Sequence, residues 1–360
     1  MLVLSNGRDA DRGGIAMVGR GLRRISHFVM AAWLVCAPAK VWASPQQKNQ
    51  NSPTSAAESY RAAWTWMAES LTGETPLLTS DERSLLNNRV PVGGPNPELR
   101  TALAKVRPYL ELIRSAAAAP TADFGLDRSQ GVNLLLPHLR ELRQAARILS
   151  IEAYVRTADG DTSGAVDAIA AMSRLAGHLR SDRLAISSVA CGAILSLQDD
   201  SIDRLLSDGA IAREDVDRLA EVLAPLRTSD AIRMADSLRG YSEMLQRQVM
   251  MSAENRSDLS GVGADGISLD TVAARASVEQ LDGVFDRAID AISNPDRAAG
   301  RDALADLDAD ILRRDKSFLV ALLAPSFMKL AEASWRTDDM IAARCRMLDD
   351  LRSGKVALDH

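Results

Sequence analysis

The residues Asp199-Asp200-Ser201-Ile202-Asp203 place three carboxylates within little more than one turn of a stretch spaced as a helix. Asp199 and Asp203, four residues apart, share a helix face. Carboxylates together with water are the hard oxygen ligands that Mg²⁺ takes, so the chemistry this pattern would serve is Mg²⁺ binding. An acidic, solvated helix end accounts for the same residues without any metal. Asp199, Asp200 and Asp203 are therefore the ligands of an alternative reading, a Mg²⁺-dependent all-α enzyme.

Three further groups invite chemistry. Gly261-Val262-Gly263-Ala264-Asp265-Gly266 matches the dinucleotide fingerprint in form. That motif works only when a strand precedes the glycines and a helix follows, so that the helix N-terminus meets the pyrophosphate. Polar Ser257-Asp258 precedes it instead, and the pattern reads as an inter-helix loop. Asp258, Asp265 and Asp270 around it could hold Ca²⁺ weakly, without the spacing of an EF-hand. Asp123-Phe124-Gly125 is the kinase tripeptide, with no His-Arg-Asp loop and no Val-Ala-Ile-Lys strand to accompany it. His138 follows Pro137 in the first turn of a helix that also carries Arg140 and Arg143. These three are the candidate binding residues, although a histidine with no paired nucleophile more often serves structure. Asp306, Asp308 and Asp310 spread around a helix whose apolar side is Leu304, Leu307 and Ile311, as a solvated face does.

The elements that position these residues are helices. Tyr60, Ala63, Trp64, Met67 and Leu71 recur at three- and four-residue spacing over 55–71, and Leu99, Leu103, Val106, Leu110 and Ile113 do so from Pro97 to Ala119. From Val132 to Leu179 the period continues, interrupted only at Gly160-Asp161, which predicts a helical hairpin. Further helices are expected over 183–206, 213–226, 229–255, 268–293, 299–315, 317–335 and 338–351, with Asn294-Pro295 as a break. No stretch alternates with period two. The fold class is therefore all-α, an irregular helical-hairpin array of about ten helices with no sheet. Its parts are a helical-hairpin domain over 55–255, a Gly-rich loop over 256–267 and a C-terminal helical segment over 268–353.

Gly160-Asp161-Thr162-Ser163-Gly164-Ala165 fits the turn and second helix of a tetratricopeptide hairpin, and Ala153 falls where that family keeps a small residue, so the unit over 132–179 resembles one such repeat. Arg156 and Met172 stand where a tyrosine and a small residue are expected, Gly177 replaces the closing proline, and no 34-residue recurrence follows. The array is thus tetratricopeptide-like or α-solenoid-like without being regular. Leu136-Pro137-His138-Leu139-Arg140-Glu141-Leu142-Arg143, preceded by Asp123-Phe124-Gly125, resembles a group of uncharacterised secreted all-helical proteins of planctomycete-type bacteria over residues 98–230. That resemblance implies export and a helical fold, and assigns no catalytic residue. The Asp199 cluster is similar to the first metal motif of all-α terpenoid synthases and prenyltransferases, whose second motif and aromatic lining are missing here.

The N-terminus reads as a cleavable signal peptide over 1–43. Arg20, Arg23 and Arg24 precede the apolar run Phe28–Ala37, which is too short to span a membrane, and small residues follow. Val41-Trp42-Ala43 places cleavage before Ser44, with Ala39 as a second possible end. Asp9 and Asp11 spoil the leader that starts at Met1, whereas Met17 would begin a compact one. A polar tether over 44–54 would lead into the folded body. A mature chain from Ser44 carries 37 Lys and Arg against 46 Asp and Glu, a formal charge of −9. That balance argues against nucleic acid as partner, and no integral membrane span is expected in the mature part. Cys191 and Cys345 could pair in an oxidising compartment or remain buried thiols. With His138, His178 and His360 they give no zinc spacing, and no cofactor is expected. The expected function is an exported, periplasmic or extracellular, non-catalytic scaffold that binds a protein or peptide on its hairpin surface.

Overall fold

A computed structural model describes residues 55–72, 76–88, 90, 94–208, 211–255, 270–311 and 324–355. The expected signal peptide and tether, the Gly261–Gly266 motif and residues Asp258 and Asp265 lie outside them. The described residues are all-helical, with twelve α-helices and no strand.

Local chemistry sets most helix ends. Helix α1 (Ala56–Thr72) opens with Ser55 and Glu58 capping each other's backbone N–H. Thr79 and Glu82 do the same for α2 (Ser80–Asn87), an eight-residue helix whose single buried residue, Leu86, is too little periodicity to announce it in the sequence. The helix expected from Pro97 to Ala119 is two: α3 (Pro97–Lys105), capped by Asn96, and α4 (Arg107–Ala117). Pro108 causes the break at Val106, because proline has no N–H to offer the carbonyl four residues back.

The hairpin forms as expected from α5 (Pro137–Ala158) and α6 (Thr162–Leu179). Its turn is a Schellman closure in which Asp161 N–H donates to the Arg156 carbonyl and Gly160 N–H to that of Thr157. Gly160 takes φ 77°, the left-handed conformation this closure requires, and Asp161 then caps α6 by accepting Gly164 N–H. Next come α7 (Ala185–Asp208), α8 (Arg213–Leu223) and α9 (Met234–Glu254). Helix α9 starts later than the sequence suggested, because Asp230 turns its carboxylate onto the N–H groups of Met234 and Ala235 and Arg233 adopts φ 54°. The remaining helices are α10 (Thr271–Ile292), capped by Asp270, α11 (Arg297–Ile311) and α12 (Phe327–Arg352).

Helices α5, α6 and α7 pack against one another pairwise and form the centre. Helix α4 lies on α6 and carries α1 with it, α8 covers another side of α6, and α9, α10 and α11 follow as neighbouring antiparallel partners. Helix α12 returns to pack on α7 and α8. One buried apolar cluster runs through all of this, from Ala56 to Leu348.

Helix α12 corrects the expectation of two helices separated at Arg336-Thr337. Asp338 looks like an N-cap in the sequence, yet its carboxylate accepts the N–H of Ala231 at 2.9 Å, and Thr337 bonds back within the helix to the Ala333 carbonyl. A capping residue spent on a distant turn cannot cap its own helix. Burial pushes the Asp338 carboxyl up to about 6, the neighbouring charges of Asp230 and Asp339 push the same way, and Ala231 N–H and Arg297 oppose them. A carboxyl raised in the fold contributes stability below its unfolded pKa and loses that contribution as pH rises through its folded value. Asp338→Asn keeps the acceptor and removes the charge. Its melting temperature relative to wild type should therefore rise between about pH 4 and pH 7. A difference that does not change with pH in paired thermal melts would exclude this account.

Candidate functional site

Most groups that the sequence offers for chemistry are engaged inside the fold. His138, 2% exposed, donates from Nε2 to Asp182 Oδ2 at 2.8 Å, and Ser187 donates to the same oxygen at 2.6 Å. Histidine, aspartate and serine are the members of a hydrolase triad, but the order differs. Here the carboxylate lies between the other two, so the serine proton goes to Asp182 and the imidazole has no nucleophile to activate. The network instead ties the first turn of α5 to the 3₁₀ turn Arg180–Asp182 and to the start of α7.

Phe124, of the Asp-Phe-Gly tripeptide, stacks on His138 with 4.3 Å between ring centroids. Asp123 accepts Gly125 N–H, and Gly125 takes φ 65°, which turns the chain there. The Asp123–Gly125 turn and the first turn of α5 thus meet in one cluster. Tyr60 and Trp64 of α1 extend it, stacked on each other at 5.8 Å and on Phe124 at 6.0 and 6.4 Å.

His178 completes the cluster. Burial pushes the Tyr60 hydroxyl far above its ordinary range, so it remains protonated and donates a hydrogen bond to His178 Nδ1 at 2.8 Å. Nε2–H then donates to the Ala119 carbonyl at 2.8 Å. Both ring nitrogens are satisfied only in that neutral tautomer, and burial lowers the pKa of the ring accordingly. In the sequence His178 is weighed only as a zinc ligand.

The metal candidates divide. Asp199 accepts from Arg344 Nε at 2.7 Å and Asp203 from Arg344 Nη2 at 3.0 Å, while Asp200 is exposed. The guanidinium of α12 occupies the space between the two carboxylates where a cation would lie. Among the described residues no group of three or more His, Cys, Asp or Glu is arranged to hold a metal ion. Of the remaining candidates, Arg140 is exposed on α5. Arg143 is half-buried, and burial, then the like charge of Arg147, lowers its pKa. Neither joins His138, whose ring is turned into the core. Cys191 and Cys345 are buried and unbridged, and burial pushes the Cys191 thiol up to about 12, which leaves it protonated and unreactive at neutral pH. Asp270 serves as a helix cap.

A different group of residues meets at the surface. Arg114 of α4, Arg156 of α5 and Asp167, Ala171 and Arg174 of α6 line a cleft of about 270 Å³. Glu152, 5% exposed beneath it, holds Arg114 and, at 3.0 Å, Arg156. Arg156 also reaches Asp161 across the hairpin turn. Asp167 is held by Arg218 of α8. Arg174 is exposed and makes no hydrogen bond or ion pair with any described residue. Arg114 and Arg174 carry no motif that a sequence could reveal. Arg156 was visible only as a departure from the tetratricopeptide pattern. A comparison of the chain with protein-family models, curated proteins and solved structures finds no match.

Tyr60→Phe should leave a buried imidazole nitrogen unsatisfied while conserving the ring packing. The expected loss is about 1–3 kcal/mol, read from urea denaturation at neutral pH. Wild-type stability in this variant would mean that the hydroxyl contributes nothing to holding α1 on α6.

Proposed function

We propose that the chain is an exported, non-catalytic helical protein of the cell envelope that binds a protein or peptide partner on the face of its α5–α6 hairpin. The observation that carries this reading is a contrast. Imidazoles, thiols and the paired aspartates are buried or neutralised within the fold, whereas the α4–α5–α6 cleft presents an unpaired cation to solvent. A residue that must act on a substrate has to be reachable, and among the described residues His138, His178 and Cys191 are buried while Asp199 and Asp203 are engaged by Arg344.

The tetratricopeptide-like hairpin supports the same reading, since stacked helix pairs present grooves to peptide segments. So do the charge of −9 expected after Ala43, which disfavours nucleic acid as partner, and the N-terminal pattern of basic cluster, short apolar run and small residues. No described helix is long and apolar enough to cross a membrane. The resemblance to secreted planctomycete-type proteins adds to the argument for export.

Expression from the native start with cell fractionation tests both halves. The expected product is found outside the cytoplasm, and its first residue on N-terminal sequencing is Ser44, with Lys40 as the second site. Crosslinking in the envelope followed by affinity capture should return one reproducible protein partner. Retention in the cytoplasm with Met1 or Met17 at the N-terminus would overturn export. Capture of nothing beyond background would leave a structural envelope component in place of a binding module.

A further inference from the structure

The arginine-lined cleft has a more specific chemistry than its position alone conveys, and the turn that builds it explains a departure in the sequence. Asp161 uses one oxygen to cap α6 and the other to hold the Arg156 guanidinium. Arg156 passes directly over Gly164. A Cβ at that position would lie 2.1 Å from Arg156 Nη1 and 2.3 Å from an Asp161 carboxylate oxygen. Glycine at 164 thus leaves the space that the Arg156 guanidinium and Asp161 carboxylate occupy, and a side chain there has to displace them.

The charges around the cleft can be matched pair by pair. Glu152 and Asp161 offset Arg114 and Arg156, and Arg218 offsets Asp167. Arg218 also touches Asp215, a buried carboxylate outside the lining that Thr162 holds at 2.8 Å. Among the lining residues Arg174 is left without a counter-charge. With Asp215 counted, four arginines face four carboxylates and the surroundings are neutral overall, but the Arg174 guanidinium, without an ion pair and beside two guanidiniums fixed in orientation, suits an anionic group of planar, two-pronged geometry such as a carboxylate. The volume points the same way: about 270 Å³ falls below the range of drug-sized ligand pockets and accommodates one acidic side chain.

We propose that this cleft receives an Asp or Glu carboxylate from an acidic peptide segment of the partner, with Arg174 supplying the free charge and Arg114 and Arg156 the oriented donors. The inference rests on the binding-module reading and names its ligand chemistry. A net-negative chain repels acidic peptides in general, so binding of one reports a local site rather than bulk attraction.

Hexaglutamate and the full chain from Ser44 provide the test, by calorimetry at low ionic strength, where exposed charges are least screened. Arg174→Ala should weaken binding about tenfold, the loss of one charge-assisted contact of about 1.4 kcal/mol, with the melting temperature unchanged because Arg174 supports nothing. Gly164→Ala should weaken it as well, by displacing Arg156, and near-ultraviolet dichroism should report an intact fold. Arg239→Ala on the distant surface of α9 should have no effect. Failure of hexaglutamate to bind, or equal weakening by Arg174→Ala and Arg239→Ala, would overturn the proposal. Displacement of hexaglutamate by inorganic phosphate at lower concentrations than by glutarate would overturn the choice of carboxylate. Two outcomes separate this inference from the reading beneath it. An envelope partner captured equally well by Arg174→Ala refutes the cleft and leaves the module. Arg174-dependent hexaglutamate binding with no envelope partner supports the cleft and refutes the module.

Discussion

Helix α6 is enclosed by α4, α5, α7 and α8, and its inward surface is largely alanine: Ala165, Ala168, Ala170, Ala171 and Ala176 are all buried. Small side chains let helix backbones approach closely, which leaves little volume to absorb a misplaced polar group. A chain with 4% aromatic residues has few large side chains with which to fill gaps, and so α6 fixes the spacing of everything around it. Each polar residue taken into that centre then needs a partner at short range. The Ser150–Ser201 contact at 2.9 Å, the His138–Asp182–Ser187 network and the Tyr60–His178 bond all satisfy this condition on the helices next to α6 or on α6 itself. Gln198 of α7 is an exception, buried at 1% exposure with neither amide atom paired. Nothing in the structure explains it.

The helical class and the central hairpin were legible because they rest on local signals. Period 3.6, Gly160 as a helix stop and Asp161 as a cap are all contained within a few residues. The errors have physical causes of the opposite kind. Asp338 reads as the start of a separate helix and Asp230 as part of the helix expected from 229, yet one serves a turn more than a hundred residues away and the other delays its own helix. Pro108 did carry a readable signal and was outweighed by the apolar period running through it. Helix α2 is too short for periodicity to reveal.

The candidate site was less legible than the fold. Motif reasoning selects residues for their types, and here it selected His138, Asp199 and Asp203, whose partners Asp182 and Arg344 lie 44 and 141 to 145 residues away. Once a partner is found, the reactive reading of each loses its free group. The arginine cleft draws on three helices, and only the conflict between Arg156 and the repeat pattern gave any sign of it. A residue that breaks a local rule is a pointer to function when the structure shows what it gains.

Helix α12 spans about 39 Å at 1.5 Å per residue and reaches the centre of the fold from the far end of the chain. Arg344 neutralises two acids of α7, Asp338 holds the turn before α9, and the Trp335 indole N–H donates to the Ile292 carbonyl at the end of α10. None of these contacts can form until α12 is available, so a chain that has not yet made it lacks the element that locks α7 to α9 and α10. Long-range closure of this kind delays completion of the fold. For a chain proposed to cross a membrane before folding, late closure through α12 would suit a segment that must stay extended while it is threaded.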